Sequence, residues 1–261
     1  MIASAGEIQP TPQIRMIADI PYRAVGDRST ARCALDLHLP AGVLKPALVI
    51  WMHGGSMTSG DKADEFNRKI GAGLCRLGFA VAMVNYRLSP GAKFPAYVED
   101  AAAAVRWAVK NAESHGIDAS RIYLAGHSAG GYLALLAALD LQFFGKDKAI
   151  KGIISISGQT VTHTTVLGER GAVGGAIVVD EAAPLYHAHS TPLRILLLAA
   201  DQDVPGRVEE NQLLEATLRK LGSKHVVFKI IPDRDHMSIL ERGIDPADPV
   251  AKLLQEWIAA E

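Results

Sequence analysis

Six short apolar runs, separated by helix-like stretches, constrain the fold of this chain more than any other feature of its sequence. Each run is almost continuously apolar and lacks the apolar–polar alternation of a strand with one solvated face. Strands buried on both faces have this composition, which indicates a parallel sheet covered by helices. The runs are residues 47–52, 80–84, 122–125, 153–156, 195–198 and, less purely apolar, 226–231.

Two segments ahead of these runs predict an antiparallel start to the sheet. Tyr22–Val25 and Ala34–Leu39 flank a turn signal at Gly26-Asp27, and the leucines of the second segment alternate with polar residues. That alternation is typical of a strand with one solvated face. Residues 1–19 are polar, punctuated by proline and without periodicity, so we expect them to form an arm on the surface.

The stretches between the runs have helical periodicity, which completes an α/β pattern. Apolar residues recur at helical spacing within 94–115, 214–221 and 250–258. Residues 158–192 have little periodicity and exceed the usual length of a connection, so we expect an insertion near the candidate site. The chain, residues 1–261, is therefore predicted to be one α/β domain with a mostly parallel sheet, antiparallel N-terminal strands and helices on both faces.

The charge pattern points away from polymeric partners. Lys and Arg number 27 against 28 Asp and Glu, the formal net charge is −1, and no basic block occurs. We therefore expect neither nucleic acid nor membrane as a partner, and a small, uncharged or weakly charged substrate. No apolar run approaches the roughly 18 residues of a membrane span. The N-terminus lacks a secretory signal pattern, and Cys33 and Cys75 are predicted to be free thiols, which favours a cytoplasmic location.

Ser128 lies in the pentapeptide Gly126-His127-Ser128-Ala129-Gly130, between the apolar run 122–125 and a helix-like segment. A strand, a turn and a helix in this order are the context in which G-x-S-x-G presents a nucleophilic serine. The flanking glycines are expected because a β-carbon there would strike the neighbouring strand or helix. We therefore predict that Ser128 is a nucleophile at the start of a helix, with only a supporting role for His127.

A second glycine-rich turn, His53-Gly54-Gly55-Ser56, follows the run 47–52. Attack on an ester carbonyl creates an oxyanion, which preorganised N–H donors stabilise by about 3–4 kcal/mol each. Because this turn and the serine turn both follow buried strands, we expect them to meet at one edge of the sheet. The predicted oxyanion donors are the backbone N–H groups of Gly55, Ser56 and Ala129.

A serine nucleophile needs a base, and the base needs an orienting carboxylate. His236 comes just after the last strand-like run, and Asp203 comes just after the preceding one. Asp201 competes with Asp203 as the acid, whereas Asp235 adjoins His236 and is expected to point into solvent. The order Ser128, Asp203, His236 is the serine–acid–histidine order of α/β-hydrolases.

The remaining histidines provide no metal signature. His163, His187 and His189 lie in the 158–192 insertion and stay open as pocket residues. The pair His187-x-His189 has a spacing met at metal sites, but no acidic or cysteine companions are near it in the sequence. We therefore predict no metal.

On these motifs the chain resembles the α/β-hydrolase superfamily over nearly its whole length. It is most similar to small carboxylesterases related to hormone-sensitive lipase, to feruloyl esterase-like hydrolases and to kynurenine formamidase. The resemblance implies hydrolysis of acyl esters through an acyl-enzyme without a cofactor, and scaffold roles for Tyr86, Arg87 and Asp100. The matching stretches are His53–Ser56, Asn85–Pro90, Phe94–Asp100 and Gly126–Gly131.

Two departures from the lipase-like pattern favour the branch with little or no cap. Ser56 stands where the lipase-like group has its third glycine, and the N-terminal segment is short for a helical cap. A carboxylesterase acting on a small-molecule ester is the leading hypothesis. An arylformamidase or other small-amide hydrolase is the alternative within the same chemistry, and a non-catalytic binding protein of this fold is the alternative outside it. Either a monomer or a homodimer fits the sequence.

Overall fold

The computed structural model describes residues 13–24, 32–144, 150–172 and 176–260. Within these residues, eight strands form one sheet in the order β1-β2-β4-β3-β5-β6-β7-β8, with β1, β2 and β4 paired antiparallel and the other neighbours parallel. The strands are β1 Ile14–Pro21, β2 Ala34–Pro40, β3 Leu48–Met52, β4 Ala80–Val84, β5 Ile122–His127, β6 Gly152–Ile156, β7 Arg194–Gln202 and β8 Val226–Asp235. The predicted mostly parallel α/β sheet with an antiparallel start is confirmed.

Helices cover both faces of the sheet because successive side chains of a strand point to opposite sides. In β3, Leu48 and Ile50 pack into one apolar layer and Val49 and Trp51 into the other. The helices are α1 Glu65–Arg76, α2 Ala96–Asn111, α3 Ala129–Leu139, α4 Leu141–Phe144, α5 Thr164–Glu169, α6 Arg207–Lys220, α7 Ser238–Gly243 and α8 Pro249–Ala259. The first layer is closed by α2, α3 and α6, and the second by α1, α7 and α8.

The first strand differs from the sequence expectation. Residues 14–21 form β1, so the surface arm expected over residues 1–19 is wrong for its last six residues, and the strand expected at Tyr22–Val25 lies too late. The large apolar residues of β1, at 14, 16, 17 and 20, do not follow the two-residue alternation of a strand, and the pairing with β2 shifts register between Ile17 and Ile20. Residues 1–12 and the Gly26-Asp27 turn lie outside the described residues.

The parallel strands bring the candidate residues to one edge of the sheet. The turn after β3 carries Gly55, the turn after β5 carries Ser128, and the segment after β7 carries Asp203. His236 directly follows β8. Since the carboxyl ends of parallel strands share an edge, residues separated by up to about 180 positions in sequence meet there.

Candidate active site

Ser128 occupies a strained turn between β5 and α3. Its backbone has φ 55° and ψ −123°, a conformation that non-glycine residues rarely adopt. A β-carbon on Gly130 would overlap the carbonyl oxygen of Met52, and one on Gly126 would overlap the backbone of Gly130. The two glycines therefore allow the close approach that turns the chain at Ser128, as the sequence pattern predicted.

A chain of hydrogen bonds joins three of the candidate side chains. His236 Nε2 lies 3.0 Å from Ser128 Oγ, and His236 Nδ1 lies 2.7 Å from Asp203 Oδ1. A carboxylate only accepts hydrogen bonds, so it favours the tautomer in which Nδ1 carries the proton. Nε2 is then free to accept a proton from the Ser128 hydroxyl.

Asp203 is held as a carboxylate by donors on both of its oxygens. Oδ2 accepts from Ser157 Oγ at 2.5 Å and from the Ala200 N–H at 3.1 Å, and Oδ1 also accepts from the Val204 N–H at 2.8 Å. Burial favours the neutral acid, but the hydrogen bonds from His236, Ser157 and the backbone outweigh it and lower the Asp203 pKa to about 2. Sequence reasoning missed Ser157, whose signal was its position directly after the buried run 153–156.

The two other aspartates near these strands have different partners. Asp201 Oδ1 accepts from the Arg234 N–H at 3.0 Å, and Asp201 is exposed. Asp235 Oδ1 accepts from the Met237 and Ser238 N–H groups at 3.0 and 2.8 Å. The structure therefore brings Asp203, and neither Asp201 nor Asp235, to His236.

Two buried histidines support the loops of the site. His127 Nε2 lies 2.6 Å from the backbone carbonyl of His236, so an Nε2–H donor fixes the segment that carries His236. His53 Nδ1 lies 2.7 Å from the Gly54 carbonyl, and its ring stacks on Tyr86 at a centroid distance of 4.3 Å. Tyr86 Oη donates to the His53 carbonyl at 2.8 Å, which anchors the start of the glycine-rich turn.

The turn after β3 runs through three successive left-handed residues. Gly55, Ser56 and Met57 have φ values of 101°, 53° and 58°. A β-carbon on Gly54 would lie 3.4 Å from Ser128 Cβ, so this turn passes directly beside the serine. The Ser56 carbonyl accepts from Thr165 Oγ1 at 2.6 Å, which ties the turn to α5.

Arg87 and Asp100, implied as scaffold residues by the resemblance, form an ion pair. Arg87 Nε donates to Asp100 Oδ2 at 2.8 Å, and Asp100 is fully buried. The Arg87 N–H donates to the same oxygen at 3.0 Å. This pairing links the segment after β4 to α2.

Two pockets open on either side of Ser128. The smaller, of about 180 Å³, is lined by Gly54, Gly55 and His127 among others. The larger, of about 550 Å³, is lined by Ser56, Ser128 and, at the start of α6, Arg207, among others. The segment expected as an insertion, residues 158–192, contributes α5 and much of the wall of this larger pocket, including His163. His187 and His189 do not line either of these two pockets.

The described residues form neither a metal-binding cluster nor a membrane-spanning helix. No cluster of three or more His, Cys, Asp or Glu side chains in residues 13–24, 32–144, 150–172 and 176–260 is arranged to hold a metal ion. No helix among these residues is both long enough and apolar enough to cross a membrane.

Three buried histidines at the site, His53, His127 and His163, are expected to make the fold sensitive to acid. Burial lowers the pKa of each to about 4, whereas a histidine of the unfolded chain titrates near pH 6.5. Between about pH 6.5 and 4 the unfolded state therefore binds more protons, and the free energy of unfolding falls as the pH is lowered. We expect a loss of about 1–2 kcal/mol per histidine at pH 5 relative to pH 7, measured by urea denaturation.

His163→Asn is the control for that measurement. His163 Nδ1 accepts from the Thr165 N–H at 3.1 Å and caps α5. Asparagine keeps an acceptor there but does not titrate. The variant should lose roughly a third of the wild-type pH dependence between pH 7 and 5 if the three rings contribute equally. An unchanged pH dependence would show that His163 takes no part in it.

Comparisons with known proteins show which proteins this chain is similar to in sequence. The BD-FAE family model matches residues 35–171. Esterase LipQ of Mycobacterium tuberculosis is 25% identical over 87% of this chain and 59% of its own length. Kynurenine formamidase of Danio rerio is 27% identical over 93% of this chain and 82% of its own length. The matched part of this chain therefore covers less than two thirds of the length of the first esterase relatives. It covers 59% of LipQ and 28% of LipI of M. tuberculosis.

Solved structures share the fold. A truncated carbohydrate esterase from gut microbiota superposes with a TM-score of 0.74 at 20% identity, covering 95% of this chain and 96% of its own. Esterase B of Lactobacillus rhamnosis reaches a TM-score of 0.75, also at 20% identity, over 94% of this chain and 85% of its own. At such identities the likeness establishes the fold, an α/β-hydrolase fold, and nothing finer.

Proposed function

This chain belongs to the BD-FAE family, whose model spans more than half of it, and on that premise we propose that it is a serine hydrolase of small carboxylic esters. The observation that carries the proposal is the hydrogen-bonded series from Asp203 through His236 to Ser128. The strained turn that presents Ser128 at the start of α3 supports the same assignment.

In the proposed mechanism, Ser128 Oγ attacks the ester carbonyl carbon while His236 Nε2 takes the hydroxyl proton. Asp203 holds the imidazole in the reactive tautomer and stabilises the imidazolium that forms. The tetrahedral intermediate collapses when His236 donates its proton to the departing alcohol oxygen, which leaves an acyl-Ser128 ester. A water molecule then repeats the sequence, releasing the carboxylic acid and restoring the Ser128 hydroxyl.

The proposed oxyanion donors are the backbone N–H groups of Gly55, Ser56 and Ala129. The first two are supported by their position, since Gly55 lines the smaller pocket together with Ser128 and Ser56 lines the larger one together with Ser128. Ala129 is the first residue of α3, so its N–H has no acceptor within the helix. We propose that His127 acts as a positioning residue through its bond to the His236 carbonyl.

We expect the protein to hydrolyse short-chain aryl esters such as 4-nitrophenyl acetate and butyrate, and to react covalently with a fluorophosphonate probe at Ser128. The probe requires an activated serine, which the contact with His236 supplies. Mass spectrometry of the labelled peptide identifies the modified residue. A properly folded protein that stays unlabelled and inactive would support the alternative of a non-catalytic binding protein.

A formamidase is the second candidate, favoured by the likeness to Danio rerio kynurenine formamidase over most of both chains. The same triad would attack the formyl carbon of an amide, with His236 protonating the departing nitrogen. Rates for N-formylkynurenine and short aryl esters, measured side by side, separate the two. A hydrolysis rate far higher for the esters than for N-formylkynurenine would exclude the formamidase hypothesis.

We further propose that residues 1–261 form a single domain acting in the cytoplasm. Cys33 and Cys75 are both buried free thiols, which suits a reducing compartment. Size-exclusion chromatography with light scattering decides between a monomer and a homodimer.

A further inference from the structure

The wall of the larger pocket contains a buried cation, Arg207, whose hydrogen-bonding capacity is largely unused. Arg207 is 9% exposed, and its Nε and Nη1 atoms are buried without a hydrogen-bond partner among the described residues. Glu210 Oε1 lies 3.1 Å from Nη1 and compensates part of the charge, but no hydrogen bond forms there. A buried guanidinium normally satisfies its five N–H groups, so this one calls for a ligand.

The other carboxylate oxygen of Glu210 already accepts hydrogen bonds from the backbone. Glu210 Oε2 accepts from the Thr160 N–H at 3.2 Å and from the Val161 N–H at 3.4 Å. These bonds tie the carboxylate to the segment after β6. Glu210 therefore stays in place as a fixed partial counter-charge.

The start of α6 adds backbone donors at the same place. Its N-cap is Gly206, in a left-handed conformation and without a side chain that could cap the first turn. The helix is 14 residues long, and Val204, Gly206 and Arg207 all line the pocket. A helix N-terminus beside a guanidinium favours an anion with two oxygens.

Arg207, the start of α6 and Ser128 line the same pocket. Its volume of about 550 Å³ suits a small organic molecule that touches both Ser128 and Arg207. Apolar side chains, among them Val161, Ile177 and Leu213, line the same pocket. Of the other ionisable groups that line it, His163 is neutral near pH 7 because burial lowers its pKa to about 4, and Glu209 is exposed at the rim.

We propose that Arg207, with the first turn of α6, binds a carboxylate of the substrate, so that the preferred substrate is an ester that also carries a free carboxylate. This inference rests on the proposed esterase function and names its substrate class. The guanidinium of a planar arginine matches a carboxylate through two parallel N–H···O bonds. Such an interaction fixes the distance from the anion to the scissile carbonyl as well as adding affinity.

The test compares matched charged and neutral substrates. The first pair, 4-nitrophenyl hydrogen adipate and 4-nitrophenyl hexanoate, places the charge on the acyl side. The second pair, 4-acetoxybenzoate and 4-methylphenyl acetate, places it on the leaving group. For the pair whose carboxylate enters the pocket, Arg207→Gln should lower kcat/KM for the charged ester about 10- to 100-fold more than for the neutral one.

Two further variants keep the outcome interpretable. Arg219→Gln, on the same helix and outside the pocket, removes the same charge and should leave the charged-to-neutral ratio unchanged. Glu209→Gln removes a repelling carboxylate from the rim and should raise that ratio about 2- to 5-fold at low salt, even if Arg207→Gln fails to fold.

Equal losses for the charged and neutral members of both pairs in Arg207→Gln would overturn the inference. So would a ratio that Glu209→Gln does not raise. Failure of the proposed function has a different signature, because neutral aryl esters would then show no Ser128-dependent hydrolysis at all. Hydrolysis of neutral esters without any charge preference would remove the inference and leave the proposed function standing.

Discussion

Replacing Ser128 with alanine is expected to lower kcat for short aryl esters by about 10⁴- to 10⁶-fold while the protein stays folded. Alanine lacks the Oγ atom that lies 3.0 Å from His236 Nε2, so no acyl-enzyme can form. The strained backbone at φ 55° stays equally strained, because both residues carry a β-carbon. Pre-steady-state measurements with 4-nitrophenyl butyrate check this: the wild type should release a burst of 4-nitrophenol as Ser128 is acylated, and Ser128→Ala should release none.

The matched control is Ser114→Ala. Ser114 Oγ is exposed and donates to the Asn111 carbonyl at 2.8 Å, and Ser114 lines neither of the two pockets beside Ser128. Its activity should equal that of the wild type. Residual activity of Ser128→Ala within tenfold of the wild type would show that another group attacks the ester.

Asp203→Asn is expected to lower kcat by about 10⁴-fold with little change in KM. An asparagine amide can turn its NH₂ group toward His236 Nδ1, which moves the imidazole proton to Nε2 and blocks proton abstraction from Ser128. The loss should persist at alkaline pH, because a wrong tautomer is not corrected by deprotonation. Steady-state kinetics between pH 6 and 9 provide this test.

Asp201→Asn separates the two candidate acids. Asp201 bonds to the Arg234 N–H and not to His236, so its replacement should change kcat by less than about threefold. A loss in Asp201→Asn as large as that in Asp203→Asn would contradict the assignment of the acid. Equal, small effects of both substitutions would show that His236 works without a carboxylate partner.

The buried strands were predictable because continuous burial on both faces leaves a composition that does not depend on distant residues. All six apolar runs correspond to strands β3 to β8. The first strand was placed too late because its large apolar residues, at 14, 16, 17 and 20, do not alternate with polar ones, and its pairing shifts register between Ile17 and Ile20. A bulge is set by pairing with β2, and no local pattern in residues 14–21 reports that pairing.

The triad candidates were predictable from motifs and from their positions after strands, whereas their supporting residues were not. Ser157 bonds to Asp203 across 46 positions, and His127 bonds to the His236 carbonyl across 109. The burial of Arg207 was not predictable from the sequence either, since an arginine at a helix start is ordinarily a solvated residue. Its burial results from the segment after β6 folding over the start of α6, as the Thr160–Glu210 contact shows.

The pairing of β7 with β8 has a consequence for how this scaffold tolerates change. The last cross-strand pair, Gln202 and Asp235, is followed at once by Asp203 and His236. The spacing of acid and base is thus set by a backbone ladder and not by the loops around them. The pocket wall at 159–164 is therefore a region where the loop can be exchanged or lengthened to accept new substrates, while the proton-transfer residues keep their spacing.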